Sequence, residues 1–451
     1  MKFFFIVLRL VIVFIISIAV GDLFGIKHIS MFSLLFGIYL IVELLFSLGK
    51  RIPYFELMFA LFGVQLLISP YADYHYFHNQ ILAVMEVPES VYYEFVTFAI
   101  LGLYIGFKLL TSHIKDNELV VRKAIKTNSQ QYENIGFNLI IFGYFFFFLT
   151  FLSSNFVFVS LSYLRFIGSL YILYSNSSRK LYYMLLVWLP FFIITVKSVV
   201  FINIIIWTLL LYCFFNLNKR VRKILIVSLA LFGFTAISIL QSVKHVYRES
   251  AWDPNARKEL SLTSLMINQA KNLDAELLKL IGGAMNLRVN QGWIISHGMN
   301  NLGDNDRNLS KNYLKQEMIG IFLPRFIYKD KVVVGSREKF YEFTGWELGG
   351  GTAMNLGIIG DLYLNFGKRK GIVAGFIFGL ILGWFHSIYL RKLILYPDLL
   401  FWSVLFYFMI MRAGNEFYII MNWYFKTILI VTIFFSYLRP RFLENMKPQF
   451  N

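Results

Sequence analysis

Charged residues and cysteines are scarce in this sequence. Asp, Glu, Lys and Arg make up 15% of the 451 residues, against 58% hydrophobic residues, and the mean hydropathy is +0.62. The one cysteine, Cys213, lies in an apolar run, so an intramolecular disulfide and a cysteine-based metal site are both excluded. No Walker-type glycine loop indicates a nucleotide, and no His/Glu pair at helical spacing indicates zinc. This composition is not that of an ordinary globular protein.

The apolar residues are instead gathered in runs close to the roughly 20 residues that cross a bilayer as a helix. Barrel strands would alternate polar and apolar residues, and these runs do not. The pattern predicts an all-α polytopic membrane protein with about 12 transmembrane helices. The predicted spans lie at about 3–19, 29–48, 54–68, 93–110, 137–153 and 156–174, then two within 181–217 that meet at Lys197, one ending near 240, and finally 371–390, 399–411 and 420–438.

Basic residues set the orientation of these spans. With the N-terminus inside, the Lys/Arg clusters at 50–51, 115–126, 179–180, 219–223, 391–392 and 439–441 all fall on one side. The positive-inside rule makes that side cytoplasmic, with both termini inside. Topology then accounts for much of the net charge of +17, and nucleic acid is not an expected partner.

The chain divides into three parts on this interpretation: an N-terminal bundle of about nine helices at 1–241, one large external loop at 242–370 between the ninth and tenth helices, and about three C-terminal helices at 371–451. Within the loop, 261–280 has the spacing of an amphipathic helix on the membrane surface. Residues 356–366 are too short and too polar to span, which favours a re-entrant or interfacial segment. The loop is the expected location of the active site.

Basic residues in and after the loop are candidates for binding phosphate, because the planar guanidinium of arginine suits bidentate contact with phosphate oxygens. The alternatives are contact with anionic lipid headgroups, pairing with carboxylates of the loop, and, for the last residue, interfacial snorkelling. These basic residues are Arg288, Arg325, Lys329, Lys331, Arg337 and Arg412.

Four residues are candidates for acid/base chemistry, namely Glu347, His297, Asp361 and Glu416. A single carboxylate or imidazole in such a loop also serves as a structural hydrogen-bonding group, and both interpretations stay open. The Asp-Asn-Asp at 304–306 has the spacing of a metal-binding motif of glycosyltransferases, but it fits an ordinary turn equally well.

Three stretches carry a resemblance to a known family: 288–296 (RVNQGWIIS), 323–329 (LPRFIYK), and 351–354 (GTAM) through 361–367 (DLYLNFG). With the helix count and the single late loop, they resemble the Wzy-type oligosaccharide repeat-unit polymerases of bacteria. The resemblance implies metal-independent, inverting glycosyl transfer at the periplasmic face of the inner membrane. Donor and acceptor would both be oligosaccharides on undecaprenyl pyrophosphate. No cofactor is implied, and a chain-length regulator is a candidate partner.

The resemblance also assigns roles to residues. Glu347 or His297 would take the proton of the acceptor hydroxyl, and fixed cations would stabilise the departing pyrophosphate. The implied substrate-binding residues are Arg288, Arg325, Lys329, Lys331, Arg412, Trp293 and Asp361. Three alternatives remain: an O-antigen ligase that transfers glycan to the lipid A core, a polysaccharide flippase or other transporter, and a structural subunit. The absence of an inverted repeat weighs against a transporter.

Overall fold

A computed structural model describes residues 2–77, 84–114, 125, 129, 131–152, 156–198, 201–215, 282–283, 286, 289–303, 313–323, 327–328, 335–349, 354–412 and 414–440. Within these ranges the chain forms helices and connecting turns, and no β-strand occurs. In chain order the helices are α1 Lys2–Phe24, α2 His28–Ser47, α3 Tyr54–Phe77, α4 Glu89–Thr111, α5 Tyr132–Leu152, α6 Val157–Tyr174, α7 Lys180–Ser198, α8 Phe201–Phe215, α9 Gly292–Leu302, α10 Tyr313–Phe322, α11 Arg337–Thr344, α12 Gly357–Leu395, α13 Leu399–Tyr407 and α14 Phe417–Leu438.

The all-α class is confirmed for the described residues, and their apolar helices are consistent with a multi-pass membrane protein. Eight of these helices (α1 to α6, α12 and α14) are long and apolar enough to cross a bilayer. The predicted double-length run at 181–217 divides into α7 and α8 close to Lys197, as expected. The predicted span at 399–411 forms a helix of only nine residues, α13. At 1.5 Å per residue this is about 14 Å, half of the hydrocarbon thickness. The ninth predicted span lies outside the described residues, and the count of twelve stays a prediction.

Glycines spaced four residues apart hold α12 against α4. A Cβ atom at Gly375, Gly379 or Gly383 would lie 2.9, 2.2 or 2.9 Å from the carbonyl oxygens of Ala99, Leu103 and Phe107, respectively. Side chains four apart lie on one face of a helix, so these glycines form a flat stripe on which the other backbone rests. Residue numbers rise together along the contact, and the two helices therefore run parallel.

Gly367 divides α12 into two parts. Its φ of 70° lies in the left-handed region, which glycine adopts without the steric cost that a Cβ would bring. The part after Gly367 is the long helix packed on α4. The part before it is a short helix whose residues 357–364 are all buried. This short helix corresponds to the segment predicted to be re-entrant or interfacial, and it carries Asp361 into the protein.

The bundle has two chemically different ends. Lys2, Arg51, Lys108 and Leu390 line one cavity, so the start of α1, the α2–α3 turn and the ends of α4 and α12 lie together. At the opposite end lie the starts of α4 and α14, together with the loop helices α9 to α11. We call the first the basic end and the second the loop end. The basic clusters at 50–51 and 391–392 both lie at the basic end, and the sequence predicts that they share one side.

Candidate functional site

Backbone and glycine contacts at the start of α9 attach this loop helix to the bundle. The N–H of Gln291 donates to the carbonyl oxygen of Gln65 at 3.1 Å, and the side-chain oxygen of Asn290 accepts from the N–H of Gly292 at 2.8 Å. A Cβ at Gly292 would lie 2.2 Å from the hydroxyl oxygen of Tyr92, so only glycine fits this contact. The Asn-Gln-Gly sequence thus fixes α9 between α3 and α4.

An imidazole–carboxylate pair follows directly on α9. Nδ1 of His297 lies 3.0 Å from Oε1 of Glu86, and the amide of Asn300 donates to Oε2 of Glu86 at 2.7 Å. The hydroxyl oxygen of Ser296 accepts from the N–H groups of Glu86 and Val87 at 2.7 and 3.0 Å. These contacts hold the Glu86 carboxylate in place while 36% of its side chain stays exposed.

Burial lowers the pKa of His297 from its ordinary value, and the negative charge of Glu86 opposes this only in part. The imidazole is therefore neutral near pH 7. When Nδ1–H donates to Glu86, Nε2 is left as the basic nitrogen. Nε2 is buried and has no hydrogen-bond partner among the described residues. The imidazole is thus paired with a carboxylate, and Glu86 is the more exposed member of the pair.

Two tryptophans surround this pair. The ring of Trp293 lies 5.5 Å from the His297 ring, edge to face, and 5.3 Å from the ring of Trp346. The rings of His297 and Trp346 are 5.3 Å apart and tilted by 35°. Trp293 is buried, whereas Trp346 is 38% exposed. An exposed indole beside the imidazole of this pair offers an apolar face on which the C–H face of a sugar ring can pack.

A second polar cluster lies at the same end and is wholly buried. Nζ of Lys339, on α11, lies 2.6 Å from Oε1 of Glu317, 2.8 Å from Oδ1 of Asp361 and 2.9 Å from Oε2 of Glu416. We call these four residues the lysine clamp. It joins two loop helices, α10 and α11, to the short part of α12 and the start of α14.

Backbone groups complete the clamp. The N–H of Leu356 donates to Oε1 of Glu416 at 3.0 Å, and the N–H of Phe417, the first residue of α14, donates to Oδ2 of Asp361 at 3.3 Å. The amide of Asn365 donates to Oδ1 of Asp361 at 3.2 Å. A buried carboxylate is tolerated when its oxygens are paired in this way. Asp361 therefore holds the short part of α12 against the start of α14.

The three carboxylates of the clamp outnumber its one cation, and the pKa values of two of them, Glu317 and Glu416, are shifted. Burial, together with the charge of Asp361, raises the pKa of Glu317 to about 8. Burial likewise raises the pKa of Glu416, against the opposing charge of Lys339. Burial alone would lower the pKa of Lys339, but the carboxylates raise it. Glu317 is thus mainly a neutral acid at pH 7, and its Oε2 has no hydrogen-bond partner in the part of the chain that the structure describes.

Carboxylate oxygens of Glu317, Asp361 and Glu416 come within 4.8 Å of one another, a spacing that suits a cation. In this structure the ammonium of Lys339 is the cation among them. The cluster can hold a proton and anchor the loop. Its burial separates it from any substrate that remains outside the protein.

The predicted site residues therefore fall into separate places. His297 and Trp293 come together, Asp361 lies in the clamp, and Glu347 is exposed in the segment that follows Trp346. Arg412 lies between α13 and α14, where its guanidinium donates to the side-chain oxygen of Asn203 on α8 and lies 4.8 Å from the Phe408 ring centre. Other predictions concern residues outside those that the structure describes: Arg288, Arg325, Lys329 and Lys331, the amphipathic helix at 261–280 and the Asp-Asn-Asp at 304–306.

Four site residues were not expected from the sequence: Glu86, Trp346, Glu317 and Lys339. Glu86 stands in a short loop between predicted spans, and its partner His297 follows 211 positions later. The signal that could have found it is a carboxylate just before the start of α4, which the predicted topology places on the same side as the long loop. Glu317 and Lys339 stand singly among other polar loop residues, and nothing local marks them as buried.

Comparison with known proteins gives no assignment: no protein-family model, no curated protein and no solved structure matches this chain.

Proposed function

We propose that the protein is an oligosaccharide repeat-unit polymerase that joins units carried on undecaprenyl pyrophosphate at the external face of the bacterial inner membrane. One observation supports this above others. The described part of the loop folds back onto the loop end of the bundle and places a carboxylate-oriented imidazole, His297–Glu86, beside the exposed ring of Trp346. A base and a sugar-binding surface at the membrane boundary are what such a transfer needs.

The chemistry assigns a task to each part. The acceptor hydroxyl oxygen attacks the anomeric carbon of the donor glycan, the bond from that carbon to the pyrophosphate oxygen breaks, and the partly exposed carboxylate of Glu86, held by His297, accepts the hydroxyl proton. Basic residues stabilise the negative charge that develops on the pyrophosphate. Arg412, partly exposed at the loop end, and Arg337, exposed at the start of α11, are the candidates among the described residues. The others are Arg288, Arg325, Lys329 and Lys331.

The role of the Glu86–His297 pair can be tested by glycan profiling. The assay uses a deletion strain of the source bacterium that expresses the Glu86→Gln variant. This substitution keeps the shape of the side chain but removes the carboxylate that orients His297. Loss of a general base costs about 10²- to 10⁴-fold in rate. We therefore expect single lipid-linked repeat units to accumulate and long chains to be lost, although the variant is present in the membrane in normal amounts.

The structure offers a matched control for this variant. Nε2 of His75 lies 3.0 Å from Oε1 of Glu89, in a second imidazole–carboxylate pair at the same end of the bundle. Its described ring neighbours are tyrosines rather than tryptophans. Glu89→Gln is expected to leave chain length unchanged. If Glu86→Gln behaves like Glu89→Gln, the pair is not part of the reaction.

The same assay separates the alternative functions. Expressed Arg288→Ala and Arg325→Ala variants that fail to restore long chains would support pyrophosphate binding by the loop. Long chains that persist on undecaprenyl pyrophosphate but never reach lipid A would instead identify a ligase. Complete loss of external repeat units would identify a flippase, and the polymerase proposal would then be wrong.

A further inference from the structure

A cavity of about 320 Å³ opens at the basic end of the bundle, remote from the loop helices. Its wall is formed by the first two turns of α1, the α2–α3 turn, and the ends of α4 and α12. Apolar side chains such as Phe5, Phe107 and Leu390 alternate with charged ones around it. The volume lies in the range of pockets that bind small molecules or headgroups.

The floor of this cavity is an ion network that is already balanced. Nζ of Lys108 lies 2.7 Å from Oε1 of Glu43 and 3.3 Å from Oε1 of Glu56, and the guanidinium of Arg51 donates to the same Glu56 carboxylate. The hydroxyl of Tyr104 donates to Oε2 of Glu43 at 2.8 Å. Two carboxylates and two cations therefore neutralise one another, with Lys108 and Glu56 both buried.

The rim adds positive charge that this network does not neutralise. Lys2 and Arg9 line the cavity from α1, and both are exposed. They stand seven residues apart, so they lie on one face of the helix and about 10 Å apart along it. Neither forms an ion pair with a carboxylate in the part of the chain that the structure describes. With all six charged side chains counted, the cavity carries two net positive charges.

The position of Arg9 indicates that the net positive charge of the cavity has a binding partner. It lies within α1, a helix of apolar composition that is long enough to span the membrane. An ionisable residue in such a helix is costly unless it faces a polar cavity or meets a partner of opposite charge. The face of α1 that carries Arg9 borders both the cavity and the surrounding lipid, since most of α1 is not covered by protein.

We propose that this cavity binds a phosphate group, carried by an anionic lipid of the leaflet at the basic end, with Lys2 and Arg9 as its cationic contacts. Basic pockets between membrane helices on the cytoplasmic side are a general form of anionic-lipid site. The apolar lining suits the glycerol backbone, and the exposed side of α1 lets the acyl chains remain in the bilayer. This site is separate from the proposed polymerase chemistry, which takes place at the loop end.

The proposal can be tested on the purified full-length protein by native mass spectrometry during titration with phosphatidylglycerol or phosphatidylcholine. Both lipids carry a phosphate, but only phosphatidylglycerol carries net negative charge. We expect tighter binding of phosphatidylglycerol to the wild type, and roughly thirtyfold weaker binding to the double variant Lys2→Gln/Arg9→Gln, because each basic residue near a phosphate contributes about a factor of five. Arg9→Lys retains the charge and is expected to keep most of the preference.

The loop end supplies the control. Arg369→Gln/Lys370→Gln also removes two exposed cations, and it is expected to leave the lipid preference intact. Equal weakening in both double variants, or no preference for phosphatidylglycerol in the wild type, would overturn the proposal. Titration with glycerol phosphate distinguishes the source of the phosphate: displacement of the lipid at millimolar concentration would overturn the lipid assignment, and its absence supports it. Elution as a single gel-filtration peak verifies that each variant is folded.

Discussion

Replacing Glu317 by glutamine is expected to make the docking of α10 on the bundle less dependent on pH. Glu317 is fully buried, and burial with the charge of Asp361 raises its pKa from 4.5 to about 8. When α10 leaves the bundle, the side chain regains an ordinary pKa. Below pH 4.5 both states hold the proton, and the contribution to docking is complete. As the pH rises towards 8 this contribution is lost, because the undocked state releases its proton first.

The magnitude follows from the difference between the two pKa values. Each pH unit in this interval weakens docking by about 1.4 kcal/mol, so the loss between pH 5 and pH 8 is about 4 kcal/mol at most. Half of that value would still change the population of the undocked state by about thirtyfold. Glutamine cannot titrate and should be free of this loss. We therefore expect similar docking of the two proteins at pH 5 and weaker docking of the wild type at pH 8.

Hydrogen–deuterium exchange of peptides that cover α10 measures this directly. Intrinsic amide exchange changes with pH to the same extent in both proteins, so the ratio of their protection factors isolates the effect of Glu317. Glu338→Gln, which removes an exposed carboxylate from α11 next to Lys339, is the control, and its ratio should not change with pH. A ratio for Glu317→Gln that stays constant from pH 5 to pH 8 would refute the assigned pKa and the proton that Glu317 is inferred to hold.

Two further substitutions test the packing. Lys339→Met leaves three carboxylates buried without their cation and is expected to destabilise the protein by about 3–5 kcal/mol, whereas exposed Lys315→Met on α10 should change stability by less than about 0.5 kcal/mol. Gly379→Ala places a Cβ 2.2 Å from a backbone oxygen of α4 and should cost about 1–3 kcal/mol, whereas Gly349→Ala meets no atom within 4 Å and should be tolerated. Thermal melting in detergent measures all four; equal melting temperatures within either pair would contradict the corresponding contact.

Much of the membrane architecture can be predicted from the sequence, because its signals are local. A run of about 20 apolar residues has few ways to satisfy its backbone in lipid other than as a helix. The pairing of α12 with α4 also has a local signal, since four glycines stand four residues apart from Gly371 to Gly383. A search for apolar spans alone does not detect it. The length of α13 has none: its residues are as apolar as those of a span, and the turns that end it at Tyr407 depend on the packing around it.

The candidate site was predictable only in part, because it depends on contacts between distant residues. His297 and Trp293 could be singled out within the loop, but not their neighbours Glu86 and Trp346. Asp361 was recognised as an unusual carboxylate in an apolar stretch, yet a sequence does not state whether such a group meets a substrate or a lysine of its own chain. The structure provides that lysine, 22 residues earlier.

The charge balance at the loop end constrains how a pyrophosphate could be held there. Lys339 lies within 3 Å of three carboxylates, and releasing it to a substrate would leave those carboxylates buried without their cation. The clamp therefore positions the loop but cannot supply the positive charge that a departing pyrophosphate requires. Among the described candidates for phosphate binding, that charge is left to Arg337, exposed at the start of α11, and to Arg412. Within the described chain the guanidinium of Arg412 meets an amide oxygen and an aromatic ring. The polymerase proposal thus depends on these two arginines acting with Arg288 and Arg325.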